Sequence, residues 1–158
     1  MSSAASAVRV RPMCVADLDR VLELAASLPE APHWPLAAYR SAIDPANTPQ
    51  RIALAAADLK DETPAGFLVA RLLPPEAELE TIVVAAHAQR HGLGRLLLAA
   101  LRENLRAAQV TELILEVRAS NRVALGFYGA HGFEETGRRP RYYADPEDDA
   151  VLMRVKLA

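Results

Sequence analysis

Residues 89–105 read "QRHGLGRLLLAALRENL", and how this stretch is read decides the rest of the chain. Gly92 and Gly94 stand at the mouth of a run whose Leu93, Leu97 and Leu101 recur at helical spacing. Glycines at a helix start let a ligand approach the backbone closely, and the unpaired N–H groups there favour a phosphate. Gln89, Arg90, His91 and Arg95 surround that positive dipole end with further donors. Successive amides in such a turn suit a pyrophosphate.

Two phosphate-binding designs fail on the neighbouring residues. A Rossmann fingerprint needs a third small residue where this chain has Leu97, and a strand running straight into the glycines. Here the apolar strand "ETIVVAA" stops several residues earlier, with the polar turn "HAQRH" between. Glu116 lies at a tempting distance for a ribose-binding acid, but too few strand–helix–strand units follow. A P-loop fails because no Lys-Ser/Thr pair follows the glycines. A bare tight turn is the plain alternative, and the surrounding donors weigh against it.

Working outward, "VRVRPM" alternates as a strand, and "ADLDRVLELAASL" repeats apolar residues as a helix. Pro29, Pro32 and Pro35 break that helix, and "WPLAAYRSAI" starts another. "RIALAAAD" and "GFLVARLL" flank the turn-rich "LKDETPA" as a hairpin, and "AELETIVVAA" is the next strand. The glycine-led helix runs to about Ala108, "TELILEVRA" is a strand, and "NRVALGFYGAHG" is a helix with a glycine at its C-terminal end. "FEETGRR" and "AVLMRVKL" are the last strands. The order β-α-α-β-β-β-α-β-α-β-β predicts an α/β fold with a mixed, mostly antiparallel sheet flanked by helices. Residues 1–7 read as a flexible tail and 8–158 as a single domain.

The 158 residues are 51% hydrophobic and 24% charged, which suits a folded globular domain. A formal charge of −2 argues against a general nucleic-acid coat. One cysteine, Cys14, excludes an internal disulfide. With no signal-like or membrane-length apolar run, a cytoplasmic protein is expected, with no membrane partner. His87 and His91 have the spacing of a zinc pair, but Ala88 stands where the associated glutamate belongs, so no metal is predicted. Cys14 has no basic neighbour to activate it and reads as a small buried apolar side chain.

The run Gln89-x-x-Gly92-x-Gly94 after an apolar strand resembles the acetyl-CoA signature of the Gcn5-related N-acetyltransferases, and the element order is similar along nearly the whole chain. "LEVRASNRVALGFYGAHGFEETGRRPRYY" followed by "EDDAVLMRV" resembles the ribosomal-protein alanine N-acetyltransferase branch. The resemblance implies that coenzyme A is held by the loop and first helical turn, here Arg90, His91, Gly92, Leu93, Gly94 and Arg95. It implies that the pantetheine arm lies along the strand backbone at Ile82, Val83 and Val84, and that Asn121 contacts the cofactor. An exposed strand edge does offer N–H and C=O groups to an amide-bearing ligand.

The same resemblance implies Glu116 as general base and Tyr128 as general acid. A protonated α-amine must lose its proton before it attacks a thioester, and a departing thiolate gains from a donor. Glu116 projects from the strand face opposite Leu115 and Val117, where an ion pair with Arg118 is its plain alternative reading. Tyr128 lies two helical turns past Asn121, and a core tyrosine is the plain reading there. Glu80 stands where other branches of the family place their base, and Ala85-Ala86 replaces a common Asp-Pro. Arg138, Arg139, Arg141, Tyr142 and Tyr143 form a basic, aromatic loop that the resemblance assigns to gripping a peptide, with acidic "DPEDD" beside it.

The expected activity is direct acetyl transfer from acetyl-CoA to a protein or peptide N-terminus, with a ribosomal protein the acceptor that the resemblance implies, by a monomer or weak dimer. A small-molecule amine or a lysine side chain is the alternative acceptor, and a non-catalytic coenzyme A-binding module the alternative class.

Overall fold

A computed structural model describes residues 8–47, 50–89 and 91–157. The proposed tail, residues 1–7, and Arg90 of the glycine turn lie outside the described residues. The strands are β1 (Val8–Pro12), β2 (Arg51–Asp58), β3 (Pro64–Leu73), β4 (Glu76–Val84), β5 (Glu112–Arg118), β6 (Glu134–Ala144) and β7 (Glu147–Lys156). The α-helices are α1 (Leu18–Ala26), α2 (Leu36–Ile43), α3 (Leu93–Ala107) and α4 (Arg122–Ala130), with short 3-10 turns at Val15–Asp17 and Ala86–Ala88. This is the order the sequence predicts. The seven strands form one sheet in the order β1-β2-β3-β4-β5-β7-β6. Only β4 and β5 run parallel.

The sheet is covered on both faces. On β3, Phe67 packs edge-on against Tyr39 of α2, which also stacks on Trp34. The neighbouring Gly66 faces the other way, and a Cβ there would stand 3.4 Å from Leu97 of α3. Since successive side chains alternate, α2 and α3 lie on opposite faces. Burial on both sides explains why β3 reads as a continuous apolar run rather than an alternating one. The stripe Leu93, Leu97, Leu98, Leu101 and Leu105 seats α3 on the sheet.

Two expectations need correction. The basic, aromatic segment is not a loop, because β6 runs on through it to Ala144. Cys14 is exposed rather than buried, and its thiol donates to Asp17 Oδ2 at 3.4 Å. The buried side chain at that corner is Asp17, 4% exposed and gripped by Arg11 through two hydrogen bonds of 2.7 and 2.9 Å. No helix is long and apolar enough to cross a membrane among the described residues.

Candidate active site

The one parallel junction of the sheet comes apart, and that makes the site. β4 and β5 pair only at Glu76↔Glu112, Ala77↔Leu113 and Glu78↔Ile114. On its other side β4 stays paired with β3 as far as Val84↔Gly66, and β5 stays paired with β7 through Arg118↔Ala150. Both strands therefore continue past the last shared pair as facing edges of a wedge. The cause is visible in the β3–β4 register. Thr81 opposes Val69 and Leu79 opposes Ala70, so Glu80 is an extra residue. Such a bulge bends its strand and strengthens the local twist. Along the wedge, among the described residues, no β5 residue pairs with the backbone from Ile82 to Val84, which leaves that edge open to a strand-like ligand.

The glycine turn closes one end of this wedge. Gly92 has φ +83°, a left-handed conformation that favours glycine, and it is the N-cap of α3. Among the described residues no side chain caps this helix. The first intrahelical bond recorded runs from the Leu96 amide to the Gly92 carbonyl at 3.0 Å, so the amides of Leu93, Gly94 and Arg95 precede the ladder. Gln89 is exposed, and its side-chain amide donates to the Val84 carbonyl at 3.1 Å, tying the turn to the end of β4. His91 and Arg95 are exposed beside it, while Leu93 points into the core. Gly94 has a second reason to lack a side chain: a Cβ there would stand 3.2 Å from the Phe127 ring of α4. The sequence held no signal for that contact.

The other wall comes from β5, α4 and the β6–β7 hairpin. Asn121 caps α4, its Oδ1 accepting from the Ala124 amide at 3.1 Å. Tyr128, on the buried side of the same helix, is 8% exposed and packs against Phe127 and Phe133. Burial pushes its hydroxyl well above the usual tyrosine range, which keeps it protonated. Glu116 is half-buried and pairs at 3.1 Å not with Arg118 but with Arg139 of β6. Arg118 instead stacks on the Tyr143 ring at 4.3 Å and donates to the Pro146 carbonyl at 2.9 Å. Tyr143 is raised above its ordinary value by burial first and by the charge of Glu116 second, so those two groups share one neighbourhood. Glu116 and Tyr128 sit on separate elements, with no hydrogen bond between them among the described residues.

Between Arg139↔Ala150 and Tyr143↔Asp148, β6 carries Pro140, Arg141 and Tyr142 against the single Asp149 of β7. This bulge is pinned by the Arg141 amide donating to Asp149 Oδ1 at 2.9 Å, with Arg141 at φ +54°. The Arg141 guanidinium pairs with Glu147 at 3.2 Å, and Asp148 accepts from the Ser120 hydroxyl at 2.6 Å. The acidic stretch is thus engaged within the chain and anchors the hairpin beside Asn121. Tyr142 stands half exposed at the crest. Glu80 lies apart from this group, its carboxylate accepting from Arg51 at 2.8 and 3.4 Å.

Residues 18–133 match the Acetyltransferase (GNAT) family. The chain is 39% identical over 100 residues to the [ribosomal protein bS18]-alanine N-acetyltransferase of Salmonella typhimurium, covering 62% of this chain and 68% of that one. It is 29% identical over 148 residues to a putative enzyme of the same name from Bacillus subtilis, covering 94% and 95%. Its fold superposes on the crystal structure of the ribosomal-protein-S18-alanine N-acetyltransferase from Escherichia coli with a TM-score of 0.82 at 28% identity, over 96% of this chain and 94% of that one. The wedge between β4 and β5, the uncapped start of α3 and the glycine pair fit the acetyl-CoA on which this family draws. The chain belongs to the GNAT family of acetyltransferases.

Proposed function

We propose that the protein acetylates the N-terminal α-amine of a protein, of the kind its bS18-alanine relatives are named for, with Glu116 as general base and Tyr128 as general acid. The observation that carries this reading is the position of Glu116. It is a half-buried carboxylate on β5, beyond the last β4–β5 pair, beneath a hairpin whose Tyr142 and Tyr143 face the same neighbourhood.

Acetyl-CoA supplies the activated acetyl group as a thioester. The first-turn amides of α3, with Arg95 and His91 beside them, suit its pyrophosphate, and the free edge at Ile82, Val83 and Val84 suits its amide-bearing arm. Asn121, at the N-cap of α4, is the cofactor contact from that helix. Glu116 takes one proton from the acceptor ammonium, leaving a nitrogen lone pair free to attack the acetyl carbonyl. The carbon–sulfur bond then breaks, Tyr128 gives its hydroxyl proton to the departing sulfur, and the second proton lost by the attacking nitrogen restores the Tyr128 hydroxyl by way of solvent. Backbone N–H groups on the open edge of β4 stabilise the oxyanion that forms on the way. Tyr142 and Tyr143 offer flat, rigid surfaces to an extended peptide, and the exposed Arg141 borders its path. Glu80 borders the opening from the β3 side, already committed to Arg51.

The test is an acceptor panel read by mass spectrometry. Peptides beginning with Ala, Ser or Met and carrying one internal lysine are compared with a polyamine. Acetylation at the α-amine, strongest for one initiating residue, supports the reading. Modification at lysine or of the polyamine alone overturns it.

A further inference from the structure

Among the described residues, Glu116 has a single ionic partner, Arg139, and that partner has somewhere else to go. The Arg139 guanidinium lies 3.1 Å from Glu116 on one side and 5.6 Å from the centre of the Tyr142 ring on the other. Its side chain is 58% exposed, and the Tyr142 ring is the other group the guanidinium already touches. Arg139 is also the last residue paired with β7 before the three-residue bulge. The neighbouring arginines are differently employed: Arg118 is stacked on Tyr143 and bonded to the hairpin, Arg138 pairs with Glu135 and Arg141 with Glu147. An ammonium that pairs with Glu116 at Oε2 therefore competes with Arg139 for that oxygen.

We propose that Arg139 is a resting-state latch: its guanidinium holds Glu116 in the free protein, and the acceptor's N-terminal ammonium displaces it from the carboxylate, leaving it only the face of Tyr142. This inference rests on the reading of Glu116 as the base. It makes Arg139 a positioning residue that competes with substrate, not one that grips it. An arginine suits the task because its flat guanidinium exchanges a carboxylate for an aromatic face at little cost in solvation. The competition also discriminates among acceptors. A ligand without a positive charge at its terminus gains nothing from Glu116 to offset loss of the ion pair. A partly exposed pair of this kind contributes little enough for a substrate to break it.

The sign of one effect tests the proposal. In Arg139→Gln the competitor is gone, so KM for a peptide with a free Ala terminus should fall about two- to fivefold, the span an exposed ion pair supplies. The same peptide with its terminal amine replaced by hydrogen should bind with unchanged affinity. Arg139→Lys keeps a competing cation and should keep the wild-type KM. Arg154→Gln is the charge control: it removes one positive charge from β7, where Arg154 pairs with Glu112, and should leave KM as it is. In a Glu116→Gln background, Arg139→Gln should no longer change peptide affinity, measured by calorimetry with coenzyme A present.

A rise or no change in KM in Arg139→Gln overturns the latch. So does an equal fall in Arg154→Gln, or a gain in affinity that persists without Glu116. The base assignment is read separately, from kcat of Glu116→Gln alone.

Discussion

The Glu80 carboxylate and the Arg51 guanidinium form a two-contact ion pair across the sheet, with Nε at 2.8 Å and Nη2 at 3.4 Å from the two carboxylate oxygens. Both side chains are about four-fifths covered. The pair spans from β2 to the bulge in β4, bridging β3, and Arg71–Glu78 forms a second rung at 2.6 Å beside it. A carboxylate held in this way is a strut at the point where the sheet opens. Glu80→Gln should therefore keep most of its kcat while losing about 1–3 kcal/mol of stability, the usual worth of a charged hydrogen bond. Initial rates and urea melts on the same preparation check both halves.

Gly94 faces the Phe127 ring, and an added Cβ at 3.2 Å forces the ring or the helix start to shift. Gly94→Ala should weaken coenzyme A binding roughly tenfold, about 1.4 kcal/mol, with a smaller effect on peptide KM. Phe127→Leu in the same chain should recover part of that loss by making room. Gly92→Ala should instead cost about 1–2 kcal/mol of stability through its positive φ, with no rescue from Phe127→Leu. Calorimetric titration of coenzyme A separates the two glycines.

Tyr128 is buried, and its hydroxyl is held protonated beyond the ordinary tyrosine pKa of about 10. Wild-type kcat should not fall as pH rises toward that value on account of this group. Tyr128→Phe should lower kcat by about 10²-fold, the lower range for general acids, while leaving the melting transition nearly unchanged. A pH–rate series on both proteins reads this out.

Much of this site was legible in the sequence because its parts are local. The glycine turn and the leucine stripe of α3 each depend on residues a few positions apart, whereas the cap that Asn121 gives α4 came only with the structure. Glu116 and Tyr128 were named by the resemblance, and the local pattern supplied only the strand and the helix that carry them. What escaped were partners brought together by strand order. Arg139 reaches Glu116 only because β7 inserts between β5 and β6, and Arg51 reaches Glu80 only across β3. The aromatic segment looked like a loop because Pro140 and the charges around it break strand alternation. The three-residue bulge accommodates that break within β6. Cys14 went wrong for a similar reason: its neighbour Asp17, not the thiol, fills the buried corner under Arg11.

Asp17 makes acid stability a further readout. Burial alone would raise its carboxyl, but the Arg11 hydrogen bonds, then the Cys14 amide and thiol, hold it below the usual aspartate range. A carboxylate with a lowered folded pKa stabilises the fold above its unfolded value of about 3.9, and that contribution fades as pH falls through the lowered folded value. Asp17→Asn should therefore cost about 1–3 kcal/mol near neutrality, since Arg11 loses its two bonds to the Asp17 carboxylate and keeps Glu62 as its ionic partner. The gap to wild type should narrow below about pH 4. Urea melts at neutral and acid pH measure it.

The most direct test of the central claim compares initial rates of α-amine acetylation in wild type, Glu116→Gln and Glu80→Gln at saturating acetyl-CoA and an Ala-initiated peptide. The account predicts that Glu116→Gln loses about 10²-fold or more in kcat, with coenzyme A affinity unchanged and Glu80→Gln near wild type. Full activity in Glu116→Gln, with the loss appearing in Glu80→Gln instead, would contradict it.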